Sequence, residues 1–390
     1  MSKLDYSITS TSNPPRRHPV VLQVIPALFT GGVERGTVDI AAAISSAGWT
    51  SLVASSGGPM VRDIERAGAT HITLPMHSKN PMVMLYNVQK MASLIRTQDV
   101  DIVHASSRAP AWCARAAVSL TGKRLVTGFH GAYGASNSAK LWYNNIMAKG
   151  DRVIAISEFM ANYAQRNYKV QDHKLRTVRR GIDLDAYDAN LVTSARMIRL
   201  AEKWRLPDGM PVVMLPGRMA RWKGHKVLID AIAQLSIPNL RCLLVGASAK
   251  DRRYSSELKR HIVTRGVDSQ VAVIDQCDDM AAAYMMADVV VSASVEPEAF
   301  GRIAAEAQAM GRPVIATDHG GARETVLPGR TGWLVPPNNP PALAKALKEA
   351  LALDATARSD IAANARAHIE MNFSISQMCS STLDVYRELL

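Results

Sequence analysis

The sequence predicts an α/β protein of two domains, each a mostly parallel sheet with helices on both faces. Short β-branched runs alternate with helical segments, and this alternation occurs twice, on either side of a polar break near the middle. The chain is also long enough, at 390 residues and 47% hydrophobic content, to bury two ordinary cores.

In the first half, strands are expected at Val20–Ile25, Ser51–Ala54, His71–Leu74, Ile102–Ala105, Leu125–Phe129, Val153–Ile156 and Arg176–Val178. In the second half they are expected at Val212–Leu215, Leu240–Val245, Val271–Ile274, Val289–Ser292, Val314–Ala316 and Gly332–Val335. The break is the polar, turn-forming run DLDAYDAN at 183–190. This places a flexible N-terminal tail at 1–18, a first domain at 19–187 and a second at 188–372. The last segment, 373–390, holds a helix from Ile375 to about Leu389 that is expected to pack back on the first domain.

Composition narrows the class of protein. Cys113, Cys242, Cys277 and Cys379 are far apart and show no C-x-x-C spacing, as expected of reduced thiols in a cytosolic protein. Residues 1–18 have no apolar core of a signal peptide, and no run of 18 apolar residues occurs, so neither secretion nor membrane spanning is expected. The net charge of +12 is uneven: residues 1–190 carry 22 Lys and Arg against 13 Asp and Glu, and residues 191–390 carry 24 against 21. A basic first half suits an anionic membrane surface or glycolipid. It would also suit nucleic acid, but no aromatic RNA platform or helix-turn-helix reader accompanies it, so no nucleic-acid partner is expected. Two segments, 79–96 and 140–152, mix lysines with aromatic and apolar residues and could rest on an anionic bilayer. Core packing explains the same residues, less easily for the adjacent Trp142 and Tyr143.

The densest motif is E-A-F-G-R-I-A-A-E, from Glu298 to Glu306, at the carboxyl end of the strand around Val289–Ser292 and running into a helix expected at Ile303–Met310. Open α/β sheets bind ligands at such ends. Eight residues of helix would separate the carboxylates by about 12 Å. Glycosidase acid/base pairs stand about 5–9.5 Å apart. The spacing therefore suits the two ends of one elongated ligand, with solvated helix carboxylates as the alternative.

Other strand-end loops carry cations and glycines. Gly31-Gly32 opens a helix after the first strand and would let backbone N–H groups approach an anion, although a simple turn explains it as well. Pro216-Gly217-Arg218 and Arg221-Trp222-Lys223-Gly224-His225 follow the first strand of the second half, where Arg and Lys can neutralise a diphosphate. His130 in GFHGAYG, Ser157-Glu158, and Arg179-Arg180-Gly181-Ile182-Asp183 also fall at strand carboxyl ends. The D-x-D runs Asp99–Asp101 and Asp183–Asp185 read as structural, and with no zinc-spaced His/Cys cluster neither a metal nor a cofactor is expected.

These residues resemble the retaining glycosyltransferases of family 4 (GT4), which have the GT-B fold of two Rossmann-like domains facing each other across a cleft. The resemblance rests on GGVER, the His130 loop, AISEF at 155–159, RRGID at 179–183, GR with WKG at 217–224, and EAFGRIAAEAQAMGRPVIAT at 298–317. It implies that Arg218 and Lys223 bind the donor diphosphate, Glu306 the ribose hydroxyls, and Glu298 with backbone groups of Ala299, Phe300 and Gly301 the donor sugar. It places Gly31 and Gly32 beside the diphosphate and His130 near the reacting carbon, so that His130, Glu298, Arg218 and Lys223 form the catalytic set. Arg108, Tyr133 and Arg180 are the acceptor-side candidates, and Arg302 stands where the wider family often has an apolar residue. More narrowly, the Ser106–Trp112 and GFHGAYG loops resemble those of α-proteobacterial lipopolysaccharide core mannosyltransferases. That likeness implies GDP-mannose as donor, an anionic Kdo-bearing glycolipid as acceptor, and a cytoplasmic enzyme in peripheral contact with the inner membrane. A nicotinamide enzyme would need a G-x-G-x-x-G loop that the sequence lacks. A UDP-sugar or ADP-heptose donor, and a non-catalytic nucleotide- or lipid-binding protein, are the remaining alternatives.

Overall fold

The computed structural model describes residues 18–390 apart from positions 30, 135, 136, 236, 238, 249 and 250; the expected N-terminal tail, except His18, lies outside the described residues. All thirteen expected strands form, each within two residues of its expected limits.

The first sheet contains β1 (Val20–Val24), β2 (Thr50–Ser55), β3 (Thr70–Thr73), β4 (Ile102–Ala105), β5 (Arg124–Phe129), β6 (Arg152–Ala155) and β7 (Leu175–Thr177). Their order is β3-β2-β1-β4-β5-β6-β7, and every pairing is parallel. The second contains β8 (Val212–Pro216), β9 (Arg241–Ala247), β10 (Val271–Asp275), β11 (Val289–Ser292), β12 (Val314–Thr317) and β13 (Gly332–Val335), in the order β10-β9-β8-β11-β12-β13, again all parallel.

The central strands are buried on both faces, which is why they read as unbroken apolar runs. In the first sheet Leu22, Val103, Leu125 and Val153 enter one core layer, while Val21, Ile102, Val126 and Ile154 face the other. That second layer is closed by the last helix, Ile375–Arg387, through Met378, Leu383 and Tyr386. The Tyr386 hydroxyl meets His104 Nδ1 at 2.7 Å inside this layer, and Glu388 beyond the helix pairs with Arg152 and Arg176 at 2.6 and 2.7 Å.

The chain thus crosses between the lobes twice, and the two crossings lie side by side. Ile182 N–H donates to the Phe373 carbonyl at 2.7 Å, and Ile375 N–H to the Ile182 carbonyl at 3.3 Å. A β-carbon at Gly181 would lie 2.6 Å from Ile375 Cα, so the glycine of RRGID is what lets the crossings touch.

Candidate functional site: a cation-lined cleft at the strand switch points

Both sheets reverse their strand order between two central strands, β1/β4 in the first and β8/β11 in the second. Loops leaving such a pair diverge to opposite faces and leave a crevice at the carboxyl edge.

In the second lobe the loop after β8 carries Arg218 and Lys223, and the loop after β11 carries Ser294 and Glu298. A side chain at Gly224, whose φ is +74°, would put a β-carbon 1.8 Å from the Ala293 carbonyl oxygen, so glycine is required for the two loops to meet. The Val295 N–H bond to the Trp222 carbonyl, 2.7 Å, fastens them. Lys223 Nζ is thereby held 2.8 Å from Glu298 Oε1, with the two side chains 11% and 14% exposed, and Ser294 Oγ donates to the same carboxylate oxygen.

Lys223 and Glu298 line a cavity of about 690 Å³ together with Arg218, Arg302, Glu306, Tyr187 and Tyr284. Glu298 belongs to the loop ahead of the helix, which begins at Arg302, so the helical spacing expected between the two glutamates does not apply. Glu306 lies one turn inside that helix and is 6% exposed. Its Oε2 accepts the Tyr284 hydroxyl at 2.8 Å and its Oε1 accepts Arg302 Nε, so both carboxylate oxygens already have partners. Burial, followed by the Glu306 charge, holds the phenols of Tyr284 and Tyr187 well above the usual tyrosine range and therefore neutral.

The loop between the two glutamates is also held to its surroundings. The Ala299 carbonyl accepts the Ser157 hydroxyl of the first lobe at 2.6 Å. The Phe300 side chain points into the core against Phe373, 5.6 Å between centroids, and Gly301, at φ +85°, turns the chain into the helix. Ser157 is part of a latch between the lobes. The Glu324 carboxylate of the second lobe accepts the Glu158 and Phe159 N–H groups, 2.9 and 2.8 Å, at the start of the helix Glu158–Tyr168.

On the first-lobe side, Gly31 and Gly32 open the helix Gly32–Ser46, and the Glu34 carboxylate folds back over Gly31. Arg180, from the loop after β7, lies along Gly32 and Gly36. His130 directly follows β5, and among the described residues neither of its enclosed ring nitrogens has a partner. Burial first, then Arg180 and His104, lower its pKa to about 3, so the ring is neutral. The cavity it shares with Arg180 measures about 20 Å³, too small for a sugar, and His130 is not among the residues that line the large cavity. Arg108 is held over the Tyr133 ring at 4.5 Å and bonds Asn144 at 2.8 Å, while burial pushes the Tyr133 phenol up to about 12. Among the described residues, no three His, Cys, Asp or Glu side chains gather as they would round a metal ion.

Comparison with known proteins shows the family. The family described as Glycosyltransferase Family 4 matches residues 30–186, and Glycosyl transferases group 1 matches residues 197–368. A D-inositol 3-phosphate glycosyltransferase of Catenulispora acidiphila is 30% identical over 317 residues, which cover 75% of this chain and 73% of that protein. This chain belongs to glycosyltransferase family 4. The crystal structure of a glycosyltransferase from Rickettsia africae superposes with a TM-score of 0.88 at 37% identity, covering 95% of this chain and 98% of that one. Anabaena HepE, solved with UDP-glucose, shares the fold with a TM-score of 0.82 at 23% identity over 95% of this chain and 100% of that chain. The match to the D-inositol 3-phosphate glycosyltransferase of Xylanimonas cellulosilytica, 32% identical over 246 residues, covers 62% of this chain and 58% of that protein's length. The architecture of this family 4 chain is therefore GT-B, two parallel-sheet lobes of seven and six strands.

Sequence reasoning did not find the cavity residues Tyr187, Tyr284, Gln276 and Cys277. Gln276 and Cys277 were accessible in principle, since they directly follow β10 at the same carboxyl edge. Tyr187 comes from the linker, and no local pattern marks it.

Proposed function

We propose that this chain is a retaining glycosyltransferase that moves a hexose from a nucleotide-sugar, GDP-mannose, to a Kdo-bearing lipid A acceptor of the lipopolysaccharide inner core. The observation that carries the donor reading is the convergence of Arg218, Lys223, Glu298 and Glu306 on one cavity of about 690 Å³ at the β8/β11 switch point. In this reading Arg218 and Lys223 neutralise the departing diphosphate, Glu298 holds the sugar, and Glu306, with Arg302 and Tyr284 fixing its carboxylate, holds the ribose end. The acceptor attacks on the face the diphosphate leaves, and the leaving phosphate takes its proton, so the enzyme acts by positioning and by charge stabilisation.

An anionic acceptor accords with the basic first half. The relatives named for D-inositol 3-phosphate carry a phosphorylated compound in their name, which supports the same acceptor class. The decisive assay offers GDP-mannose, UDP-glucose and ADP-heptose with Kdo-bearing lipid A and reads product mass. A hexose increment from GDP-mannose alone is expected, and transfer only from another donor would remove the mannose reading.

Peripheral membrane contact belongs to the same proposal. Leu85 and Tyr86 of the helix Pro81–Thr97 and Trp142 of the helix Ser138–Asn144 are 52%, 47% and 66% exposed, with Lys79, Lys90 and Lys140 close by in sequence. Both helices meet the helix Arg108–Thr121: the Trp112 ring lies 4.7 Å from that of Trp142, and Cys113 Sγ donates to the Met84 carbonyl at 3.7 Å. No described helix is long and apolar enough to cross a membrane. Replacing Leu85 and Trp142 by serine is expected to lower binding to anionic vesicles about tenfold or more, given the apolar area removed from the interface. Equal sedimentation of both proteins with such vesicles would refute the contact.

A further inference from the structure

The helix Glu158–Tyr168 of the first lobe is bonded to two loops that carry expected chemistry, one in each lobe. Its N-terminal end meets the second lobe. Ser157, 1% exposed, uses its hydroxyl twice: the oxygen accepts the Met160 N–H at 3.1 Å as a helix cap, and the proton goes to the Ala299 carbonyl at 2.6 Å. Ala299 directly follows Glu298, and the same loop is clamped from its other side by Gly320 and Gly321. The Gly321 N–H donates to the Glu298 carbonyl at 2.8 Å; a β-carbon at Gly320 would lie 2.5 Å from that carbonyl oxygen, and one at Gly321 would lie 2.5 Å from Phe300 Cα. Three residues further on, Glu324 closes the circuit by accepting the Glu158 and Phe159 N–H groups at the helix start, where negative charge is favoured.

Further along the helix, Tyr163 holds the other loop. Its hydroxyl donates to the Tyr133 carbonyl of GFHGAYG at 2.6 Å, and the Tyr168 hydroxyl reaches the same carbonyl at 3.4 Å. Burial, followed by Tyr168, pushes the Tyr163 phenol up to about 12, so it keeps the proton it donates. Phe129 is fully buried, with its ring 5.9 Å from that of Tyr133 and 5.4 Å from that of Tyr168, so both flanks of the His130 segment are fastened to this helix. A helix of eleven residues is stiff, and bonds at its two ends fix the two loops relative to each other.

We propose that Ser157, Tyr163 and Glu324 are positioning residues that make this helix a strut, holding the His130 loop of the first lobe in register with the Glu298 loop of the second. The proposal rests on the glycosyltransferase reading. The groups assigned to the diphosphate and ribose, Arg218, Lys223 and Glu306, all belong to the second lobe, so donor binding does not need the strut. Transfer does, because groups from the two lobes must meet at the sugar carbon, and a misplacement of about 1 Å there costs about 100-fold. Breaking the strut therefore lowers kcat and spares donor affinity.

The test compares Ser157→Ala, which removes the bond to Ala299 together with the cap, and Tyr163→Phe, which removes only the bond to Tyr133. Asn339→Ala is the control for lost stability alone, since it removes the cap of the helix Pro340–Leu351, where Asn339 Oδ1 accepts the Ala342 N–H at 3.0 Å. Ser157→Ala and Tyr163→Phe are each expected to lower kcat about 30-fold, with the donor KM within about threefold of wild type and an unchanged thermal shift with GDP. Asn339→Ala should melt lower at wild-type kcat. Because both breaks lie on one strut, the double variant Ser157→Ala, Tyr163→Phe should lose little more than either single variant. Amide exchange read by mass spectrometry should quicken at both loops, 130–134 and 299–301, in either single variant. Wild-type kcat, losses that multiply in the double variant, or exchange that quickens only at the loop nearer the substitution would overturn the proposal. The exchange measurement needs no substrate: if wild type transfers sugar from no nucleotide-sugar, the transferase reading fails, and amide exchange alone then tests the strut.

Discussion

Lys223→Ala will lower sugar transfer by about 10³-fold, the scale set by removing one preorganised charge from the position where negative charge develops. The loss should fall mainly on kcat, because charge builds on the diphosphate as the glycosidic bond breaks. The structure also shows a cost to stability. Lys223 pairs at 2.8 Å with Glu298, and both side chains are mostly buried, so alanine leaves a nearly enclosed carboxylate with Ser294 as its remaining partner. Leaving such a charged group unpaired costs about 2–3 kcal/mol. The double variant Lys223→Ala, Glu298→Gln removes the stranded charge and should recover most of the melting temperature with none of the activity. Calorimetry and steady-state kinetics on the three proteins separate the two effects. Wild-type turnover in Lys223→Ala would refute its placement on the diphosphate, and unchanged stability would refute the energetic role of the ion pair.

Acidification will destabilise the free protein steeply between about pH 6.5 and 4.5. His104 and His225 are fully buried, and burial lowers the pKa of each to about 4; His130 is lowered to about 3. As the pH falls below 6.5 the unfolded chain takes up these protons and the folded chain does not, so stability is lost as pH falls. At pH 5 the difference is roughly 2 kcal/mol for each histidine, from 1.36 kcal/mol per pKa unit. The loss levels off once the folded values are reached. The carboxylates of Glu257 and Glu388, held at about 2 by their basic partners, add their own loss only below about pH 4.5, so the higher window belongs to the histidines. Urea titrations at pH 7, 6 and 5 measure the slope, and His225→Gln should flatten it by about one third. A stability profile level from pH 7 to pH 5 would sink this account.

How much of the site was legible depends on what placed each residue. Arg218, Lys223, Glu298 and Glu306 were named from sequence because each follows a recognisable strand, and they do line one cavity. His130 was named for the same reason, yet its ring faces a separate small cavity with Arg180, because Gly32 and Gly36 admit that arginine beneath the first helix. Ala299 was named for its backbone, and the bond its carbonyl accepts from Ser157, a residue 142 positions away, has no mark in the local sequence. Arg302 had no assigned role and proves to hold Glu306.

By itself the sequence determined the two parallel sheets, the thirteen strands and the set of loops that gather at the cleft. The physical reason is that in an all-parallel sheet every strand delivers its following loop to the same carboxyl edge, so local periodicity suffices to collect residues that lie far apart in the chain. Only the tertiary structure decided how those residues are partnered: Lys223 with Glu298, and Glu306 between Tyr284 and Arg302. Pairing and burial depend on distances of a few ångströms between loops of different strands and lobes, and no spacing along one chain encodes them.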